Sequence, residues 1–100
     1  MRIISQDTFE VGYVDLPYEQ VTLRIEKYTK TEEYGVFAYI NNQRGAVYEV
    51  ARYSSREKAQ RAMDMLRRTC LESMQEEIYH GNVCHYGAYF QFPKDEEVVI

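Results

Sequence analysis

The sequence predicts an α+β domain: an antiparallel sheet of four to five strands with one long helix packed on one face. Three observations predict it. Residues 54–79 carry the only long apolar stripe at helical period. The segments before them are short and favour extended backbone, several alternating apolar and polar side chains. Ten tyrosines and no tryptophan give the chain the ring-rich composition that suits strands.

The helix is read first, because the sheet must pack on it. Ser54 followed three residues later by Glu57 has the spacing of a capping box. Ala59, Ala62, Met63, Leu66, Cys70, Met74 and Ile78 then recur at intervals of three and four, which places them on one face. Gly81 and Asn82 supply the stop, since both tolerate a left-handed backbone. Met65 and Leu71 fall off the stripe, and either widen the core face or form a second contact face.

The strands follow in order. Residues 2–5 form a short run at the start, and residues 6–8 a turn. Residues 9–16 alternate loosely, with Gly12 marking a bend and Pro17 ending the segment or sitting on an edge. Residues 18–28 alternate clearly: Val21, Leu23 and Ile25 point one way, Thr22, Arg24 and Glu26 the other. Residues 29–33 turn. Residues 34–40 are apolar on both faces and read as a central strand. Residues 41–45 are a hairpin loop with asparagine and glycine available for positive φ, and residues 46–53 return as the next strand. A polar loop over 80–87 leads to a last strand at 88–92, closed by Pro93, and the charged residues 94–97 are expected to fray.

One hundred residues make one domain, 1–100, with room for one core. Hydrophobic residues at 45% and charged residues at 28% fit a folded globular chain. The net charge of −4 argues against a nonspecific nucleic-acid binder, which needs a field of lysine and arginine. No apolar run approaches the roughly 20 residues that span a bilayer. No signal-peptide core follows Met1, so the expected place is the cytoplasm. Two cysteines make no disulfide framework, and in a reducing cytosol both are expected as thiols.

Catalytic and metal chemistry find little footing. Cys70, His80, Cys84 and His85 are zinc-ligand types, but their spacing matches no usual finger pattern, so no metal and no cofactor are expected. His85 adjoins Cys84 in sequence, which aims the two side chains apart, and no base-nucleophile set stands out. The chain reads as a binding protein rather than an enzyme.

Charge gives one pointed signal. Arg52, Arg56, Lys58, Arg61, Arg67 and Arg68 gather before and through the first two-thirds of the helix, and Glu72, Glu76 and Glu77 follow. Basic groups near a helix start and acidic groups near its end oppose the macrodipole. Either the face is simply solvated, or the arginines are kept for an anionic partner. Guanidinium forks suit phosphate, and the tyrosines and phenylalanines are available to stack a base.

Four stretches belong together: MRIISQD at 1–7, DLPYE at 15–19, YSSREKAQRAMDMLR at 53–67 and YFQFPKD at 89–95. Together they cover about a third of the chain. They resemble a family of small phage and prophage proteins, and within it the phage anti-Thoeris sponges. That resemblance implies an antiparallel sheet plus helix assembled as a homodimer or larger homo-oligomer in the host cytoplasm. It implies sequestration without turnover of a cyclic nucleotide immune signal, a cyclic ADP-ribose isomer. On that reading Arg56, Arg67 and Arg68 hold the diphosphate. Tyr18 or Phe92 stacks the base, and Ser5, Gln6 and Asn82 hydrogen-bond the ribose or the base edge. The ligand lies between subunits or between the helix start and the sheet edge. The rival reading is an inhibitor that binds a host defence protein directly, as an anti-CRISPR does, through acidic residues such as Asp95, Glu96 and Glu97.

Overall fold

The computed structural model describes residues 1–80 and 89–100, with side chains described through Glu72 and from Tyr89 onward. Its strands are β1 (Arg2–Ile4), β2 (Asp15–Pro17), β3 (Val21–Lys27), β4 (Tyr34–Ile40), β5 (Val47–Tyr53) and β6 (Tyr89–Gln91), and its helix is α1 (Arg56–His80). Single turns of 3₁₀ helix stand at Tyr18–Gln20 and Asp95–Glu97. The α+β class holds, but the strands do not form one sheet. They divide into two sheets of three, ordered β2-β1-β6 and β3-β4-β5.

The second sheet is the antiparallel meander that the alternation implies. Val21 pairs with Ile40 and Lys27 with Tyr34, without slippage. Val21, Leu23 and Ile25 are half-buried while Thr22, Arg24 and Glu26 are exposed, so the two faces of β3 separate as the period of two requires. β4 is central, with Val36 and Ala38 fully buried. The hairpin between β4 and β5 takes its positive φ at Asn42 and Gly45. The β5 register jumps: Val36 faces Ala51 but Phe37 faces Glu49. Val50 is therefore the extra residue of a β-bulge.

That bulge is where the two sheets meet. The Val50 carbonyl accepts from the Gln6 N–H at 2.7 Å. The Gln6 side chain completes the junction. Its Oε1 accepts from the Arg52 N–H at 2.8 Å, and its Nε2 donates to the carbonyls of Arg52 and Pro93. The first sheet is mixed rather than antiparallel, since β1 lies antiparallel to β2 and parallel to β6. A parallel neighbour at the far end of the chain cannot be read from local alternation, which explains why a single sheet was expected. Residues 8–14 make no strand, with bends through residue 11 and irregular backbone over 12–14, and Tyr18–Gln20 coil before β3 begins.

Ala59, Ala62 and Leu66 of α1 share one buried cluster with Ile3, Val36, Ala38, Val50, Ala51, Tyr53, Phe90, Phe92 and Val98. A leucine buried to this degree contributes roughly 1.5–3 kcal/mol. Met65 and Leu71 are exposed, off the stripe as their spacing implies. Met74, Ile78, the stop at Gly81 and Asn82, and the loop with Cys84 and His85 lie outside the residues whose side chains are described.

The helix start departs from the expected capping box. The helix begins at Arg56, and it is the Ser55 hydroxyl that accepts from the Lys58 N–H at 3.2 Å. Ser54 serves the tail instead. Its N–H and hydroxyl both donate to the Asp95 carboxylate, at 2.8 and 3.0 Å, and the Lys58 ammonium donates to the Asp95 carbonyl at 2.9 Å. The charged residues 94–97 therefore do not fray. They form a 3₁₀ turn latched to the helix start, and Val98 behind them is buried.

Candidate functional site: a groove between β3 and α1

β3 is an edge strand, and α1 touches it as well as β4 and β5. Between that edge and the first half of the helix runs an open groove of about 490 Å³. Arg56, Gln60, Met63 and Arg67 form its helix wall, and Leu23, Arg24, Ile25 and Glu26 its strand wall. The helical residues stand at intervals of four, three and four, the spacing of one helix face. Leu23, Ile25 and Met63 supply apolar surface, and the arginines supply positive charge.

The charges are only lightly engaged. Arg56 is exposed and makes no ion pair among the described residues. Arg67 donates to the Asp64 carboxylate at 3.2 Å, with both side chains largely in solvent. Such exposed pairs contribute about 0–1 kcal/mol, so an anionic ligand competes for this arginine at small cost. Gln60 leans toward the same Asp64 oxygen at 3.4 Å. Arg24 arrives from the other face of β3, where its guanidinium lies 5.5 Å from the centre of the Tyr39 ring. The Tyr39 hydroxyl donates to Glu26 at 2.6 Å, and that bond raises its pKa above the ordinary tyrosine value.

The outer face of the second sheet is closed at its other end by its own side chains. The Tyr28 hydroxyl donates to Glu49, and Arg52 forks onto the same carboxylate at 3.0 and 3.3 Å while lying 4.6 Å from the Tyr28 ring centre. Burial first, then the Glu49 carboxylate, push the Tyr28 pKa up to about 12, and the Glu49 bond raises that of Arg52. This arginine is committed to the fold.

Of the residues expected to bind, the groove brings together Arg56 and Arg67. Arg68 is exposed about a quarter-turn round the helix and does not line it. Ser5 is 1% exposed; its hydroxyl donates to the Gly12 carbonyl and accepts from the Val14 N–H. Gln6 is 2% exposed and spends its amide on the sheet junction. Phe92 is 1% exposed, its ring edge-on to Phe90 at 5.2 Å in the core. Tyr18 is half-buried against that core, away from the groove. Asn82 lies outside the described residues. Gln60, Met63 and Arg24 were missed by sequence reasoning. The first two were accessible to it, since their helix spacing ties them to Arg56 and Arg67.

A second, smaller cleft of about 200 Å³ opens over the sheet junction, lined by Gln6, Thr8, Glu10, Glu33, Arg52, Ser54, Asp95 and Glu96. Its charge is the opposite of the groove's. Among the described residues no group of three or more histidine, cysteine, aspartate or glutamate side chains is placed to hold a metal ion. Among them, too, no helix is long and apolar enough to cross a membrane. No protein-family model, curated protein or solved structure matches this chain.

Proposed function

We propose that the protein is a non-enzymatic, phage-type anti-defence protein. It would bind and sequester a cyclic nucleotide immune signal, a cyclic ADP-ribose isomer, in the groove between β3 and α1. The observation that carries this reading is that Arg56 and Arg67 both line one open groove, with Leu23, Ile25 and Met63 among its other lining residues. Arg56 and Arg67 stand about 16 Å apart along the helix, so each guanidinium offers a fork to phosphate oxygen from its own end of the groove. Leu23 and Ile25 on the strand wall and Met63 on the helix wall offer aliphatic surface to the base, in place of the aromatic ring that Tyr18 or Phe92 was expected to give. Nothing in this mechanism breaks a bond: the signal is held and so kept from its effector.

The test is a panel of cyclic nucleotides, cyclic ADP-ribose isomers included, followed by melting temperature. A ligand at a hundred times its dissociation constant stabilises by about 2.7 kcal/mol, a rise of several degrees for a domain of this size. The nucleotide must also come back chemically intact when the protein is denatured. Turnover of the ligand contradicts sequestration, and a flat panel contradicts the small-molecule reading.

A second reading has its own observation. Phe9 is 107% exposed beside Glu10, which helps to line the acidic cleft with Glu33, Asp95 and Glu96. An exposed ring next to clustered carboxylates suits a basic protein surface, as in a direct inhibitor of a host defence protein. On that reading Phe9→Ala abolishes capture of the host target, and Arg56→Ala leaves capture unchanged.

A further inference from the structure

Asp64 has a choice of partners on α1. Arg61 stands three residues before it, Arg67 three after and Arg68 four after, all neighbours on a helix surface. An acid four residues ahead of a base is the better order on a helix. Even so, Arg68 makes no ion pair among the described residues, and neither does Arg61. Instead one Asp64 oxygen, Oδ1, accepts from Arg67 Nη1 at 3.2 Å and from Gln60 Nε2 at 3.4 Å. Both donors line the groove beside β3, and Asp64 does not. Two groove donors thus converge, from either side along the helix, on one oxyanion that the chain itself supplies.

We infer that Gln60 and Arg67 form the phosphate-oxygen subsite of the groove, and that Asp64 is its resident competitor. The Asp64 carboxylate stands where a ligand oxyanion binds, and holds both donors until a phosphate displaces it. The bonds suit displacement. Both are longer than the roughly 2.7–2.9 Å of a tight charge-assisted contact. The Arg67 and Asp64 side chains are also 61% and 49% exposed, so water screens the pair. Arg56 has no second donor converging with it on a shared acceptor. About 16 Å away along the helix, it reaches only a more distant part of the same ligand.

The sign of the Asp64 effect follows. An incoming phosphate must break two bonds to Asp64 and then lies near a like charge. Neutralising Asp64 removes the second cost and lowers the first. Asp64 acts only through Gln60 and Arg67, which makes it a positioning residue. An ordinary pair of helix surface contacts would steady α1 slightly and leave anion binding alone. The subsite rests on the reading that the groove takes a nucleotide carrying a diphosphate. Inorganic pyrophosphate separates the two, because it carries the anion without base or ribose.

The test is an NMR titration of the full chain with inorganic pyrophosphate at fixed ionic strength, run beside the cyclic ADP-ribose isomers. Asp64→Asn binds pyrophosphate about threefold or more tighter than wild type, and the Gln60 and Arg67 side-chain N–H signals shift. Glu57→Gln, the same charge change on the same helix, alters affinity by less than about twofold. Adding Gln60→Ala or Arg67→Ala to Asp64→Asn weakens pyrophosphate by roughly tenfold or more. The melting temperature of Asp64→Asn stays within about 4 °C of wild type, since an exposed pair adds little to the fold. Three results overturn the proposal: pyrophosphate that fails to bind Asp64→Asn, no gain over wild type, or an equal gain in Glu57→Gln. In each of these, an isomer that binds wild type leaves the nucleotide reading standing. Pyrophosphate binding that follows Asp64, Gln60 and Arg67, with no isomer bound, supports the subsite and removes the nucleotide reading alone.

Discussion

Gln6 shows how a single side chain can be misread in type while its neighbours are read correctly. Its polarity suggests a ligand contact, yet it is buried and satisfies three backbone groups, on Arg52 and Pro93. Gln6→Leu keeps the volume and strands those groups. Each buried unpaired group costs about 1–3 kcal/mol, so we expect a loss of roughly 3 kcal/mol or more in urea denaturation. Gly35 is a second single-residue constraint. A Cβ there would sit 2.6 Å from the Phe37 ring and 2.9 Å from the Tyr28 hydroxyl. Gly35→Ala should cost about 1–3 kcal/mol by overpacking and loosen the Tyr28–Glu49–Arg52 cluster, seen as a fall of the Tyr28 pKa from about 12 toward 10 in an alkaline titration. Sequence reasoning reached Arg56 and Arg67 because helix charge polarity is written in the order of residues. It could not tell buried Ser5 and Gln6 from free polar groups: Gln6 is satisfied by partners more than 40 residues away, and Ser5 by the carbonyl of Gly12 and the N–H of Val14 in a segment without regular structure.

At the scale of elements, β3, β4, β5 and α1 were legible, since each is long: β3 alternates, β4 is apolar on both faces, and α1 carries a stripe at helical period. Three-residue strands such as β1, β2 and β6 carry too little pattern to assign partners, and their mixed pairing depends on chain ends meeting. The tail was read as fraying because its charge was seen without Ser54 and Lys58 opposite it. Asp95 makes that latch testable by acid. Its largest single influence, burial, pushes the carboxyl up, but the Ser54 bonds and Lys58 outweigh it and hold the pKa below the ordinary 3.8. The unfolded chain therefore takes up this proton first as pH falls. The latch's contribution is present above about pH 4 and is lost as pH drops through the lower folded value. Asp95→Asn should remove that segment of the acid-denaturation curve and lower the melting temperature at pH 7, while leaving the two curves closest at the lowest pH.

Taken whole, the molecule places opposite charges on separate openings: the arginine groove beside β3 and the carboxylate cleft over the sheet junction. Net charge alone, at −4, hides that division. It is the groove on which the functional account stands, and the direct measurement is a calorimetric titration with cyclic ADP-ribose isomers. Wild type should be compared with Arg56→Ala, with Arg67→Ala, and with Arg68→Ala as a variant outside the groove. Charge-assisted hydrogen bonds contribute about 1.5–3 kcal/mol, so each groove variant should bind at least about tenfold more weakly. Arg68→Ala should bind within about twofold of wild type, because its side chain does not reach the groove. The contrary result is an isomer that binds all four proteins equally, or none that binds the wild type at all.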